Sequence, residues 1–184
     1  MNRLLQCQQL SIRVGQKQLI EPFDWQVNSG ERWAVLGQNG VGKTALLHAL
    51  LGVDARCHAN VLLGGVSLSE LSVPQQAQQR VWIAQRYDEP FTMTVVQALH
   101  SVAPTVSLDA LLNQLDVFGL REHAQAWVHQ LSGGERQRLT WAMATVRVTD
   151  ATRLWLLDEP FSAQDIAWQR RLLQYLRELN RAVV

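Results

Sequence analysis

Gly37-Gln38-Asn39-Gly40-Val41-Gly42-Lys43-Thr44 reads G-x-x-x-x-G-K-T, a phosphate-binding loop pattern, and its reading decides the fold. A nucleoside triphosphate carries several negative charges and has to be held in one orientation. Glycines let the backbone curl so that successive N–H groups of residues 37–42 point at the phosphates. The helix starting near Gly42 adds the positive end of its dipole. Lys43 supplies a point charge for the outer phosphates, and the Thr44 hydroxyl is a ligand for Mg²⁺. Upstream, Glu31-Arg32-Trp33-Ala34-Val35-Leu36 is a short apolar run of strand type, and downstream Ala45–Leu51 is a good helix former. The strand-loop-helix setting favours the nucleotide cradle over a glycine turn that binds nothing. By itself the loop says only that a nucleoside triphosphate binds.

Composition bounds the rest. The chain has 184 residues, enough for one domain with a real core or one domain with a small subdomain. With 47% hydrophobic and 18% charged residues it is ordinary for a globular protein. The net charge of +1 argues against nucleic acid or an anionic membrane surface as the partner. Cys7 and Cys57 fit no metal or redox spacing and suit a reducing compartment. The first residues lack the core of a signal peptide, and no run approaches the ~20 apolar residues of a membrane-spanning helix.

Strand and helix patterns alternate along the chain. Leu10, Ile12 and Val14 alternate with polar residues before a turn at Gly15, and Phe23, Trp25 and Val27 do the same before Asn28-Ser29-Gly30. Val61–Leu63 ends a strand at Gly64-Gly65, Pro74 starts a short polar helix, and Val81–Ala84 is a buried strand run ending at Gln85. From there to Leu131 the texture is helical. Thr94–His100 is one helix; Leu108, Leu111, Leu112 and Leu115 mark another, with Ser107 as N-cap and Gly119 near its end. A further helix after Gly134 carries Leu139, Ala142, Met143 and Val146. Leu154-Trp155-Leu156-Leu157 reads as a buried parallel strand. Trp168, Leu172, Leu176 and Leu179 mark a helix that Asn180 closes, and Ala182–Val184 begins one more strand. The pattern predicts an α/β fold of the P-loop NTPase kind. Its central sheet is largely parallel, with an N-terminal antiparallel β part and a helical subdomain insert.

Two more stretches carry chemistry. Leu154–Leu157 leads into Asp158-Glu159-Pro160 and so places two carboxylates at the carboxyl end of a central strand. Asp158 is suited to hold Mg²⁺, and Glu159 to take a proton from an attacking water. Without a phosphate loop upstream, a polar strand end would be the better reading. Leu131-Ser132-Gly133-Gly134-Glu135 opens a helix with a hydroxyl and free backbone N–H groups, a second anion site; ordinary serine capping is the alternative.

Leu-Ser-Gly-Gly-Glu at 131–135 resembles the signature of ATP-binding cassette (ABC) ATPases, and the family's other motifs follow its order. They are the P-loop (Gly37, Gln38, Asn39, Gly40, Val41, Gly42, Lys43, Thr44), Gln85 as the Q-loop glutamine and the Walker B strand ending at Asp158. Glu159 follows as catalytic glutamate, and Ser162-Ala163-Gln164-Asp165 as the D-loop. The resemblance covers nearly the whole chain. It implies a single ABC domain over 1–184, with a RecA-like core and β part at 1–85 and 132–184 and a helical subdomain at 86–131. It implies ATP as the ligand and Mg²⁺ held by Thr44, Gln85 and Asp158. It also implies a head-to-tail homodimer in which Ser132, Gly133 and Gly134 of one copy face the nucleotide of the other. Gln85, read from its chemistry alone, is a solvated loop residue; the metal and catalytic role comes from the resemblance. The segment 86–92 corresponds to the neighbourhood that touches a transmembrane permease subunit, which places the chain on the cytoplasmic face of the cell (inner) membrane.

Around Asp165–Gln169 the chain is similar to the ATPases of vitamin B12 and iron-chelate uptake, so an importer subunit is expected. An exporter, a haem-maturation ATPase, a soluble ABC ATPase or a module with little catalysis are the alternatives. Three departures stand out. Val14 takes the place of an adenine-stacking aromatic, and Gln164 the place of a D-loop leucine. The family's switch histidine has no counterpart, since His48, His58, His100, His123 and His129 all precede Glu159. The chain is therefore expected to be a truncated piece or a poor ATPase.

Overall fold

A computed structural model describes residues 3–14, 16–53, 57–85, 92–179 and 181–184. The expected turn at Gly15, the helix end at Asn180 and the segment 86–91 lie outside the described residues. The chain falls into two compact units: Met1–Val81 with Asp150–Asp158 and Asn180–Val184, and Trp82–Thr149 with Glu159–Leu179.

The first unit is built on an antiparallel sheet in the order β2-β1-β3-β4. β1 (Arg3–Val14) and β2 (Lys17–Asn28) form a long hairpin, joined on the other side of β1 by β3 (Cys57–Leu63). Alternation puts Leu4, Leu10, Ile12 and Val27 in the core, with no measurable exposure at any of them. Gln9 interrupts the register with φ +51, and its N–H is held by Asp24 Oδ1 at 2.7 Å, so one residue is absorbed without turning the apolar set outward. Gly64 and Gly65, at φ +60 and +86, make the tight turn into β4 (Val66–Ser67). α1 (Lys43–Leu50) packs on β1 and β3 through Leu46, Leu47, Ala49 and Leu50. α2 (Val73–Gln79) buries none of its residues and is held by a Ser72–Gln75 capping box with Pro74 in its first turn.

A second sheet has the order β5-β6-β7, with β5 at Arg80–Ile83. β6 (Leu154–Leu157) runs parallel to β7 (Ala182–Val183), and Leu154, Trp155 and Leu156 are fully buried, as the continuous apolar run predicts. The run 31–36 joins this sheet only at its start. Arg32 bridges Val183 in parallel, Val183 N donates to Glu31 O (2.9 Å) and Trp33 N donates to Val183 O (2.8 Å). Ala34–Leu36 form no ladder among the described residues, and Leu36 is 90% exposed. A strand-type sequence becomes strand only where a neighbouring strand pairs with it.

The second unit is helical. α3 (Val95–Val102), α4 (Leu108–Val117) and α5 (Gly133–Thr145) pack on one another, and α6 (Ile166–Glu178) carries buried Leu172 and Leu176. Thr94, Ser107, Ser132 and Asp165 cap their N-termini, each accepting from a first-turn N–H. The stripe expected on α4 is narrower than its spacing: Leu111 and Leu115 are buried, whereas Leu108 stands 59% exposed at the free first turn. The chain thus carries the antiparallel β part, the parallel sheet and the helical segment of the expected α/β architecture.

Candidate functional site

The loop Gly37–Thr44 owes its shape to its glycines. Gly40 and Gly42 sit at φ +78 and +109, where side chains are strained. A Cβ at Gly37 would lie 2.8 Å from Val41 Cγ1. Gly42 takes the N-cap position of α1 and offers no capping side chain, so no side chain of the loop competes for the first N–H groups of that helix. Lys43 folds back over the loop, with Nζ donating to Gly37 O (2.8 Å) and Gln38 O (3.0 Å). An ammonium held only by two neutral carbonyls has donor capacity left for an anion.

Asp158 ends β6 and is 3% exposed. The Thr44 hydroxyl donates to Asp158 Oδ2 at 2.8 Å across 114 residues of sequence. Thus the end of the phosphate loop and the end of the apolar strand meet within the first unit. No group of three or more His, Cys, Asp or Glu forms among the described residues, so an all-protein cage for a metal is not what this unit offers. One carboxylate beside one hydroxyl fits Mg²⁺, which keeps several waters and takes phosphate oxygens as ligands.

In the second unit, Gln85 Nε2 donates to Glu159 Oε2 at 2.7 Å. Glu159 is exposed and has φ +46, an uncommon backbone for a residue with a side chain, and the kind of outlier that clusters at functional sites. Gln85 thus presents its amide nitrogen, not its oxygen, to the carboxylate.

Ser132 opens α5 in a reciprocal cap. Glu135 N donates to Ser132 Oγ (3.3 Å), while Ser132 N and Oγ donate to Glu135 Oε2 (2.8 and 2.7 Å). His123 Nε2 lies 3.2 Å from Glu135 Oε1. The bonds from the Ser132 hydroxyl and N–H hold the Glu135 carboxyl below its usual range, aided by the charges of His123 and Arg138. A carboxylate with a lowered folded pKa contributes stability above its unfolded value and loses it as pH falls through the folded value. The Ser132 amide resonance is therefore expected to titrate with a midpoint below 4.5, and Glu135→Gln to abolish that titration; proton NMR from pH 7 to 3 checks it. Gly133 and Gly134 follow in the first turn, and a Cβ at Gly134 would lie 3.0 Å from Ala163 O.

The sequence-predicted residues therefore gather as Thr44 with Asp158 in one unit, and as Gln85 with Glu159 in the other. Two contacts had no signal in the sequence. His123 reaches Glu135 from a 3₁₀ turn twelve residues upstream, and Gln164 Nε2 donates to Gly134 O at 2.8 Å.

Residues 20–162 match the ABC transporter family model. The vitamin B12 import ATP-binding protein BtuD of Salmonella typhimurium is 33% identical over 174 residues, covering 92% of this chain and 70% of that protein. The uncharacterized ABC transporter ATP-binding protein YvrA of Bacillus subtilis is 32% identical over 183 residues, 94% of this chain and 41% of its own length. Among solved structures, a metal-chelate type ABC transporter in an inward-facing conformation matches with TM-score 0.72 and 28% identity, over all of this chain and 72% of that one. A bacterial Atm1-family ABC exporter with ATP bound matches with TM-score 0.85, over 99% of this chain and 34% of that one; at 18% identity the likeness speaks for the fold.

Proposed function

The chain belongs to the ABC transporter family as an ATP-binding, ATP-hydrolysing subunit, and from that premise we propose that it powers an importer through a separate transmembrane permease. The observation that carries the nucleotide chemistry is the 2.8 Å bond between Thr44 and Asp158, which supports one ATP-and-Mg²⁺ site built from the phosphate loop and the β6 end. The direction rests on the likeness to a vitamin B12 importer over 92% of the chain, and the substrate class follows as a corrinoid or metal chelate.

In this reading Gly37–Gly42 hold the phosphates through backbone N–H groups, and Lys43 leaves the carbonyls of Gly37 and Gln38 for the outer phosphate oxygens. Thr44, Asp158 and Gln85 would hold Mg²⁺, which would neutralise phosphate charge when bound. Glu159 takes the proton of a water as that water's oxygen bonds to the terminal phosphorus and the bond to ADP breaks. The Gln85 amide nitrogen holds the Glu159 carboxylate, and its oxygen, at the other end of the amide, is the atom that would serve Mg²⁺. Ser132, Gly133 and Gly134 face the triphosphate of a second copy arranged head to tail. The division into a core at 1–85 and 132–184 and a helical subdomain at 86–131 belongs to the same reading.

No helix among the described residues is long and apolar enough to cross a membrane, so the span belongs to the partner in this proposal. The subunit then sits peripherally on the cytoplasmic face of the inner membrane. Affinity purification of the chain from detergent-solubilised membranes is expected to bring down a multi-spanning protein, and vesicles holding both are expected to take up cobalamin or a ferric chelate when ATP is supplied. Recovery of soluble partners alone, or efflux in place of uptake, contradicts the importer assignment.

A further inference from the structure

The loop from Glu159 to Asp165 is tied to α5 at two points. Trp141 Nε1 donates to Pro160 O (3.1 Å), and Gln164 Nε2 donates to Gly134 O (2.8 Å). Gly134 and Trp141 stand seven residues apart, about two helical turns, and so share a face of α5. The approach at the Gly134 end is close, because a Cβ there would lie 3.0 Å from Ala163 O and one at Gly133 would touch Ala163 Cβ at 3.7 Å. Ala163 reaches this position with φ +60.

Gln164 is 9% exposed. Its amide orientation follows from chemistry: a carbonyl only accepts, so the NH₂ end faces Gly134 O. The other end, Oε1, is buried with no hydrogen-bond partner among the described residues. A buried oxygen without a partner is costly, and a leucine at this position would bury similar bulk without that cost. What the glutamine adds is the bond to Gly134. The backbone on its other side is held independently of the side chain, by Gln169 Nε2 donating to Gln164 O (3.1 Å) and by Asp165 accepting from Trp168 N (2.9 Å).

The geometry points to Gln164 as a positioning residue for the signature. Its amide clamps the Gly134 carbonyl and so fixes the start of α5, with Ser132 and Gly133, to the loop that follows Glu159. The consequence for nucleotide binding rests on the reading that Ser132–Gly134 face a triphosphate; the clamp itself does not. The glutamine in place of a leucine then adds a tie between two loops of one chain.

Gln164→Met keeps the side-chain length and deletes the donor. In the 184-residue chain, amide exchange at Glu135 and Arg136, which both donate to Ser132, is expected to speed up by about 2- to 10-fold, the range one net hydrogen bond supports. Exchange elsewhere, and the melting temperature, are expected to hold or improve as the orphan oxygen disappears. The ATP concentration for half-maximal turnover is expected to rise several-fold with kcat little changed, since Lys43 and Glu159 are untouched. Gln164→Leu, the shorter apolar replacement, is expected to give the same local pattern should the methionine variant fold poorly. Unchanged exchange at Glu135 and Arg136, or a rise spread evenly over the whole chain, overturns the clamp. Faster local exchange with an unchanged half-maximal ATP concentration keeps the clamp and overturns instead the assignment of Ser132–Gly134 to a triphosphate.

Discussion

Lys43→Ala is expected to remove ATP binding, with the affinity falling by roughly two to four orders of magnitude. The estimate comes from charge: a lysine serving the outer phosphates makes charge-assisted bonds worth about 1.5–3 kcal/mol each, and each 1.4 kcal/mol is tenfold in affinity. Nζ donates to the carbonyls of Gly37 and Gln38. Truncation costs the fold little, because Gly37 and Gln38 are exposed and Gln38 O still accepts from Val41 N (3.3 Å). Isothermal titration of ATP into the wild-type chain and the variant checks this, with the melting curve recorded alongside. An unchanged affinity would mean that the glycine loop is not the phosphate cradle.

Glu159→Gln is expected to keep ATP binding and to lower turnover by roughly 10²- to 10⁴-fold, the range for loss of a general base. The substitution is close to isosteric. The oxygen of the new amide still accepts from Gln85 Nε2, so the 2.7 Å contact and the left-handed backbone at this position survive. What is lost is the capacity to take a proton from water. With binding intact and hydrolysis stopped, the ATP-bound pair of chains is expected to accumulate, and size-exclusion chromatography in ATP and Mg²⁺ should show it. Turnover retained within tenfold of wild type would remove Glu159 from the role of base. A monomer at saturating ATP would count against the head-to-tail pair.

Much of the architecture was legible because it rests on local rules. The glycine loop between an apolar run and a helix former, the four apolar residues before Asp158, and the polar caps Ser107 and Ser132 each declare themselves within a few residues. The antiparallel hairpin of β1 and β2 followed from alternation at Leu10, Ile12, Phe23 and Val27. Other features depend on what the chain folds against. The run Glu31–Leu36 has strand chemistry along its length, yet among the described residues only its start, Glu31–Trp33, pairs with β7. Leu108 fits the helical stripe by spacing but faces solvent at a free first turn.

The site shows the same division. The family resemblance puts Thr44 and Asp158 on one Mg²⁺, whereas the direct bond between them, spanning 114 residues, is a tertiary fact that no local pattern encodes. Gln164 stood out in the sequence only as an absent leucine. Its amide bond to Gly134 needed the loop after Glu159 to lie along α5, which Ala163 permits by taking φ +60. His123 carried no signal at all, because its partner Glu135 lies in a different element.

The central claim is that the glycine loop and the β6 carboxylate serve one triphosphate with its metal. Titrating the isotope-labelled chain with Mn²⁺·ATP tests it most directly, since paramagnetic broadening falls steeply with distance from the metal. The resonances of Thr44 and Asp158 are expected to broaden first and together, at sub-stoichiometric Mn²⁺, with Mg²⁺ reversing the effect. Sharp Thr44 and Asp158 signals at saturating Mn²⁺·ATP, or broadening at one and not the other, would contradict it.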